Sequence, residues 1–134
     1  MLERLIFALV LLVGGVIAYH VIIVQQIKRT TTLVPSDPLL SGIKPGVATI
    51  LYFTTPTCAP CKTQQIPALK RLRDQLGDAV QIVQVDATEH PDAAQRWGVL
   101  SVPTTFVIDA RGATLAVNHG VAETAKLLDQ LRAA

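Results

Sequence analysis

A continuous apolar run near the N-terminus differs from every other part of the chain. Residues 5–24 contain no charged side chain, and His20 is the one notable polar interruption. A helix of 20 residues rises about 30 Å, which matches the hydrocarbon thickness of a bilayer. The pattern therefore predicts one transmembrane helix, within an N-terminal anchor over residues 1–29 and with membrane contact through residues 5–24.

A cleaved signal peptide is the alternative interpretation of this segment. Arg4 supplies a small basic region, and Val16-Ile17-Ala18 has residues that a signal peptidase tolerates. The apolar run nevertheless continues to Val24, which is longer than the 7 to 15 apolar residues typical of a signal peptide. An uncleaved, single-pass anchor is the preferred interpretation. Lys28 and Arg29 balance Arg4 and the amino terminus, so the positive-inside comparison barely opposes an extracytoplasmic domain, which we expect.

Polar residues and prolines follow the apolar run. Pro35, Pro38 and Pro45 disfavour a continuous helix, and the threonines, serines and glycines around them are typical of turns. This composition predicts a linker over residues 30–46, within which residues 31–34 could add a short edge strand.

From residue 47 to residue 134 the apolar pattern alternates between strand-like and helix-like stretches. Residues 48–53 form a short apolar run typical of a strand buried on both faces, whereas residues 61–76 repeat apolar positions every three or four residues and end at Gly77. Further strands are predicted at 80–85, 104–108 and 114–117, the last two as a hairpin, and further helices at 89–97 and 122–131. Thr88 is the expected cap of the short helix and Gly98 its end. The predicted order is βαβαββα in a single α/β domain.

Charge and aromatic content argue against nucleic acid as a partner. Three of the 12 basic residues and one of the 10 acidic residues precede Pro35, so the chain from Pro35 onward carries nine of each and is neutral. Aromatic residues make up 4% of the chain, which leaves few stacking platforms for bases. Nucleic-acid binding normally requires a basic surface, and the chain does not supply one.

The only two cysteines, Cys58 and Cys61, lie where the first predicted strand meets the first helix of the domain. Unpaired backbone N–H groups and the helix dipole at such a position stabilise a thiolate. Cys58 is therefore the predicted nucleophile. Cys61, one turn inside the helix, is close enough to attack a mixed disulfide and release the substrate, so it is the predicted resolving thiol.

Two alternatives for the cysteine pair are less favoured. A zinc site needs four ligands, and outside the anchor only His90 and His119 could add to the two cysteines, so we expect no metal. A purely structural disulfide would close so short a loop that it would constrain little of the unfolded chain. A redox role explains the spacing better than either alternative.

The cysteines belong to a wider set of matching positions: Tyr52-Phe53, Cys58-Ala59-Pro60-Cys61-Lys62, Asp86, the segment Trp97-Gly98-Val99-Leu100-Ser101-Val102-Pro103-Thr104, Gly112 and Gly120. Together these positions resemble the thioredoxin family, and the resemblance extends from residue 47 to the C-terminus. The resemblance implies a central mixed sheet flanked by helices. It also implies a cis peptide bond between Val102 and Pro103 that faces the cysteines and pairs with an extended substrate segment.

The resemblance also assigns roles to the neighbouring residues. Val102, Pro103 and Thr57 are expected to bind the substrate, while Ala59, Pro60, Tyr52 and Trp97 are expected to support the site. For Trp97 a purely structural role, anchoring the short helix in the core, is the preferred interpretation.

Several positions depart from the family pattern. Tyr52 stands where the family has a buried aspartate that helps to move the proton of the resolving cysteine, and Ile82 stands where a lysine is expected. Thr57 replaces the usual tryptophan, Pro67 comes one residue later than usual, and the leading strand and helix are truncated.

The functional expectation is a membrane-tethered thiol:disulfide oxidoreductase that reduces protein disulfides and needs no cofactor beyond the Cys58–Cys61 disulfide. Pro60 resembles the reducing members of the family more than the strong oxidants. The partners implied are protein disulfide or dithiol substrates and a thiol electron donor. Two alternatives remain open: a redox-inactive interaction module with this fold, and a metal-delivery protein that uses the two thiols.

Overall fold

The computed structural model describes residues 1–133. The N-terminal helix α1 spans Leu2–Leu33. After it come β1 (Ala48–Thr54), α2 (Ile66–Leu76), β2 (Val80–Asp86), α3 (Pro91–Trp97), β3 (Thr104–Ile108), β4 (Thr114–His119) and α4 (Thr124–Arg132). This succession confirms the predicted βαβαββα order.

The four strands form one mixed sheet in the order β2-β1-β3-β4. β1 pairs in parallel with β2, since the connection through α2 is long enough for a crossover, and it pairs antiparallel with β3. β3 and β4 form the predicted antiparallel hairpin through Asp109 and Gly112. The central strand β1 therefore delivers the cysteine motif from the middle of the sheet.

Alternate residues of β1 enter two different hydrophobic clusters, because successive strand side chains point to opposite faces. Ile50 and Tyr52 pack with α2 and α4 on one face, in a cluster that also contains both cysteines. Leu51 and Phe53 pack on the other face with α3 and with residues that precede β1. All four side chains have no solvent exposure, as expected of a strand buried on both faces.

Helix α1 has the length and the composition to cross a membrane. It also runs further than expected. The edge strand expected at residues 31–34 is wrong, because the helix continues through Leu33 and ends just before Pro35. Val34 and Leu40 are buried in the second cluster, so this part of the predicted linker packs against the domain. The division of the chain at residues 29 and 46 stays a prediction.

The short helix α3 begins later than the sequence predicted. His90, not Thr88, occupies the position before the first helical residue, and Pro91 opens the helix. The Thr88 hydroxyl instead donates to a carboxylate oxygen of Asp86 at 2.6 Å, which closes a local turn. Gly98 ends the helix with a φ of 71°, a left-handed conformation that glycine adopts without strain.

Strand β2 lies at an edge of the sheet, consistent with the truncated leading strand. The segment before β1 is attached to this strand through a side chain. The Gln81 side chain accepts from the Lys44 N–H at 2.9 Å and donates to the Lys44 carbonyl at 2.9 Å. The same amide also donates to the Thr49 hydroxyl of β1 at 3.0 Å, so Gln81 joins this segment to the β1–β2 pair.

Candidate active site

Cys58 lies at the start of the helix that follows β1. Its carbonyl accepts a hydrogen bond from the Lys62 N–H at 3.3 Å, and its own N–H donates to the Thr55 carbonyl at 3.3 Å. Cys58 and Cys61 form a disulfide with their Cα atoms 5.3 Å apart. The structure thus places the pair at a helix N-terminus, as the sequence predicted.

The two sulfur atoms lie in different surroundings. The Cys61 N–H donates to the Cys58 Sγ at 3.2 Å, so one of the unpaired donors of the helix N-terminus points at the predicted nucleophile. Such a donor favours a thiolate at Cys58 once the disulfide is reduced. Cys58 retains 8% exposure and Cys61 retains none. The predicted nucleophile is therefore nearly buried, but it remains the more accessible of the two thiols.

The surface around Cys58 is uncharged and exposed. Thr57, Ala59 and Pro60 all face solvent, and Lys62 is the nearest charged residue along the chain. A polypeptide approaching Cys58 therefore meets small neutral side chains.

Tyr52 lies in the same cluster as the cysteines and is completely buried. Burial raises the pKa of its phenol above the ordinary value of 10.0. Among residues 1–133 its hydroxyl has no hydrogen-bond partner. Between residues 49 and 73 the sequence contains no aspartate or glutamate. The usual carboxylate helper is thus replaced by a neutral group.

The late position of Pro67 has a structural explanation that the sequence alone did not supply. The helix that begins at the cysteines takes a π-helical form over Cys61–Gln65, in which the Ile66 N–H donates to the Cys61 carbonyl. A π turn accommodates one additional residue within a helix, so α2 keeps its face toward the sheet despite the insertion.

Gln65 sits within this π turn and is completely buried. Its side-chain carbonyl accepts from the Ala122 N–H at 2.8 Å, and its amide donates to the Ala122 carbonyl at 3.1 Å. Gln65 therefore fixes the turn against the segment that precedes α4. Sequence reasoning missed this residue because a lone glutamine on a helix is usually solvated.

The Val102–Pro103 peptide bond is cis, as the resemblance implies. Pro103 is buried, and its carbonyl accepts from the Gly120 N–H at 2.8 Å. Val102 is half-buried and packs against the cluster that contains both cysteines. The structure therefore brings the predicted substrate-binding loop and the cysteine pair together.

Trp97 lies on the opposite face of the sheet, in the second cluster. Its ring packs edge-on against Phe106 at 5.1 Å between centroids, and its indole N–H donates to the Asp37 carboxylate at 2.8 Å. These contacts favour the structural role. Thr57 and Trp97 thus contribute to different parts of the molecule.

Asp37 is a buried carboxylate that sequence reasoning left within the linker. Burial alone would raise its pKa, but the Leu39 N–H, the Trp97 indole and the Arg96 guanidinium all donate to it, and together they hold the pKa below the ordinary value of 3.8. Arg96 also pairs with Asp92 at 2.9 Å. The network attaches the segment before β1 to α3.

Within the described residues 1–133, no cluster of three His, Cys, Asp or Glu side chains is suited to hold a metal ion.

Several proteins of known type are similar in sequence. A thioredoxin of Rhodospirillum rubrum is 31% identical over 81 residues, which cover 60% of this chain and 76% of the relative. A thioredoxin of Bacillus subtilis is 39% identical over 56 residues, or 42% of this chain and 53% of the relative. The chloroplastic thioredoxin Y of rice is 29% identical over 111 residues, or 83% and 62%. In the latter two matches the chain covers only between half and two thirds of the relative's length.

Solved structures show the same fold. A structure of thioredoxin-2, described as a component of malaria parasite protein secretion machinery, superposes with a TM-score of 0.63 at 20% identity, covering 71% of this chain and 91% of that one. The oxidised mitochondrial thioredoxin 3 of Saccharomyces cerevisiae gives a TM-score of 0.56 at 28% identity, covering 65% and 78%.

A model of the thioredoxin family matches residues 43–133, which include every strand, the cysteine pair and the loop at Pro103. This match covers more than half of the chain and coincides with the folded domain. The chain therefore belongs to the thioredoxin family.

Proposed function

We propose that the protein is a membrane-anchored thiol:disulfide oxidoreductase that reduces disulfides in other proteins. The observation that carries the proposal is the hydrogen bond from the Cys61 N–H to the Cys58 Sγ at a helix N-terminus, beside the loop at Pro103. That arrangement supplies an ionisable nucleophile, a resolving thiol within reach and an uncharged surface for a polypeptide. The disulfide itself serves as the redox group, so no further cofactor is required.

The reaction consists of two exchanges. In the reduced protein the Cys58 thiolate attacks one sulfur of the substrate disulfide, which forms a mixed disulfide and releases the other substrate sulfur as a thiolate. The Cys61 thiolate then attacks Cys58 Sγ, which releases the second substrate thiol and leaves the Cys58–Cys61 disulfide. Two electrons pass to the substrate, and a thiol electron donor must return two to the protein.

The loop at Pro103 is the proposed site for the substrate backbone. Val102 contacts the cysteine cluster and is half-buried, so an extended segment lying along the loop would come next to Cys58. Such a segment would bind by backbone hydrogen bonds, which tolerate many side-chain sequences. Thr57, exposed beside Cys58, is the proposed contact on the other side.

Trapping of mixed disulfides tests the assignment of the two cysteines. Cys61→Ser should attack a substrate but not release it, and the captured species should survive alkylation and disappear on reduction. Cys58→Ser is the matched control and should capture far less. Non-reducing gels of tagged variants in native membranes, with mass spectrometry of the captured bands, make the comparison. Equal capture by both variants, or capture by neither in a folded protein, would favour a redox-inactive binding module.

We also propose that α1 is an uncleaved anchor and that the domain lies outside the cytoplasm. The uncharged segment of α1 continues beyond Ala18, the last residue of the possible cleavage site, to Val24. Fusions of alkaline phosphatase and of a fluorescent protein to the C-terminus test the orientation. An active phosphatase and a dark fluorescent protein are expected, and the opposite pair would place the domain in the cytoplasm. The mass of the protein from membranes tests cleavage.

A further inference from the structure

Helix α1 is joined to the domain by specific hydrogen bonds, immediately after its apolar run ends at Val24. The Gln26 amide donates to the Trp97 carbonyl at 3.2 Å and to the Gly98 carbonyl at 3.1 Å. Its side-chain oxygen lies 3.1 Å from the His119 Nε2. Gln26 is two residues past Val24, or about 3 Å along the helix axis. The domain is thus attached directly at the end of the segment that can cross a membrane.

A second group of contacts fixes how the domain is turned relative to α1. The Thr30 hydroxyl donates to the Thr114 hydroxyl at 3.0 Å, and the Thr114 N–H donates to the Thr31 hydroxyl at 3.0 Å. Thr114 begins β4 and His119 ends it. Since Thr30 lies further from the apolar run than Gln26, β4 runs back toward the apolar run.

The pairing of the strands shows which end of the sheet lies beside the cysteines. His119 pairs with Thr104 at the start of β3, and Thr104 pairs with Phe53 near the end of β1. The carboxyl end of β1, from which the segment leading to Cys58 departs, therefore lies on the side of the domain nearest the apolar run. The Pro103 carbonyl bonds to Gly120, the neighbour of His119. The path from the Pro103 carbonyl through Gly120 and His119 to Gln26 consists of two hydrogen bonds and one residue of backbone and side chain. Ordinary bond lengths therefore place the Pro103 carbonyl within roughly 15 Å of the Gln26 side chain.

The surface beside this loop also has the character of a membrane contact. Leu100 is 92% exposed, and within residues 34–133 the only other large apolar side chain that is exposed is Ile66. Leu100 lines a groove of about 300 Å³ together with Ile22, which belongs to the apolar run of α1. If the apolar run lies in the bilayer, contact with lipid would remove the Leu100 side chain from water and stabilise this position of the domain.

From these contacts we infer that the active site faces the bilayer and that its substrates are disulfides in the membrane-proximal segments of other membrane proteins. The inference rests on the proposed oxidoreductase function and on α1 as an anchor. A substrate held in the same membrane meets the site at a raised effective concentration, but only if its disulfide lies at the height of the site. Because the contacts of Gln26 and Thr30 hold the domain next to the membrane, its active site cannot reach a disulfide that lies far above the bilayer.

Two single-span peptides test the inference with the full reduced chain in lipid nanodiscs. Both carry the same apolar span and the same cystine loop. In one the loop follows the span within five residues, and in the other a rigid helical spacer of 20 residues raises it by about 30 Å. Orientation in the disc affects both peptides equally. The near disulfide should be reduced on the order of 10-fold faster than the far one.

Insertion variants test whether the domain must be held rigidly at the end of the apolar run or need only be linked to it. A ten-residue Gly-Ser insertion between Gln25 and Gln26 keeps the bonds of Gln26 but frees the domain from the span, and it should bring the ratio of the two rates close to one. The matched control is the same insertion between the exposed Ser41 and Gly42, which should preserve the ratio.

Reduction of 5,5′-dithiobis(2-nitrobenzoate) in the same discs measures the chemistry of the site independently of membrane distance. Normal reduction of this compound with equal rates for the two peptides would overturn the inference and leave the proposed function intact. An unchanged ratio after insertion at Gln25 would overturn the role given to the fixed attachment. No reduction of the compound by folded protein would refute the oxidoreductase function and, with it, the inference.

Discussion

Tyr52→Phe tests whether the buried phenol takes part in proton transfer from the resolving cysteine. The substitution removes one oxygen atom and retains the ring that fills the cluster around Cys61. Because that oxygen has no hydrogen-bond partner among residues 1–133, the folded protein bears the cost of removing it from water without compensation. An unpaired buried hydroxyl costs about 1 to 3 kcal/mol.

The free energy of unfolding should therefore rise in Tyr52→Phe, by about 1 kcal/mol once small losses of packing are allowed for. Chemical denaturation of the oxidised protein measures this change. The rate at which Cys61 resolves a mixed disulfide should stay within about twofold, since a phenol whose pKa is raised above 10.0 is a poor proton acceptor at neutral pH. Stopped-flow reduction of a model disulfide gives that rate.

Tyr52→Asp provides the contrasting variant, because it restores the carboxylate that the family usually has. An unpaired carboxylate in this cluster would have a raised pKa, and a rise of 3 units costs about 4 kcal/mol at neutral pH. If the variant folds, resolution should be faster than in the unaltered protein. A fall of tenfold or more in the resolution rate of folded Tyr52→Phe would refute the reasoning and assign the proton to the phenol.

Two further predictions concern the contacts that support the site. Asp37→Asn should lower the free energy of unfolding by about 1.5 to 3 kcal/mol at neutral pH, because three donors then meet a neutral oxygen. Because folding lowers the pKa of Asp37, the ionised carboxylate stabilises the protein above about pH 3.8, and this stabilisation is lost as the pH falls through the folded pKa. The free energies of unfolding of the two proteins, measured by denaturation, should therefore converge in acid. A difference that stays constant with pH would contradict this. Gln65→Leu should cost about 2 to 4 kcal/mol, because it leaves the N–H and carbonyl of Ala122 without their partners. Gln65→Glu retains an acceptor for the Ala122 N–H but adds a titratable group, so the pH dependence of its unfolding should differ from that of the unaltered protein. Equal stability of Gln65→Leu and the unaltered protein would contradict the prediction and show that water replaces the bonds to Ala122.

The elements of the domain were predictable because their signals are local. The apolar run of β1, the three- and four-residue spacing in α2 and the glycine after Trp97 each reflect the geometry of a single segment. The cysteine motif was recognisable for the same reason. Its flanks then placed Pro103 near it, although the two lie more than 40 residues apart.

The contacts that attach α1 and the segment after it to the domain could not be predicted in this way. The distant partners of Gln26 and Asp37 lie 59 to 93 residues away in sequence, and the polar, proline-rich composition of residues 25–45 is typical of a solvated linker. The π turn was hidden as well, because its sole trace is the displacement of Pro67 by one residue. Such features depend on which distant donors and acceptors meet in the fold, and no periodicity records that information.

The burial of Val34, Asp37 and Leu40 determines where the chain can be cut to obtain a water-soluble form. Truncation at residue 47, which composition alone recommends, would remove two side chains from the core beside Trp97 and leave its indole N–H without an acceptor. It would also remove Lys44, whose backbone N–H and carbonyl bind the Gln81 side chain of β2. A soluble form should therefore begin at about Gln25, so that the last two turns of α1 remain as an integral part of the folded unit.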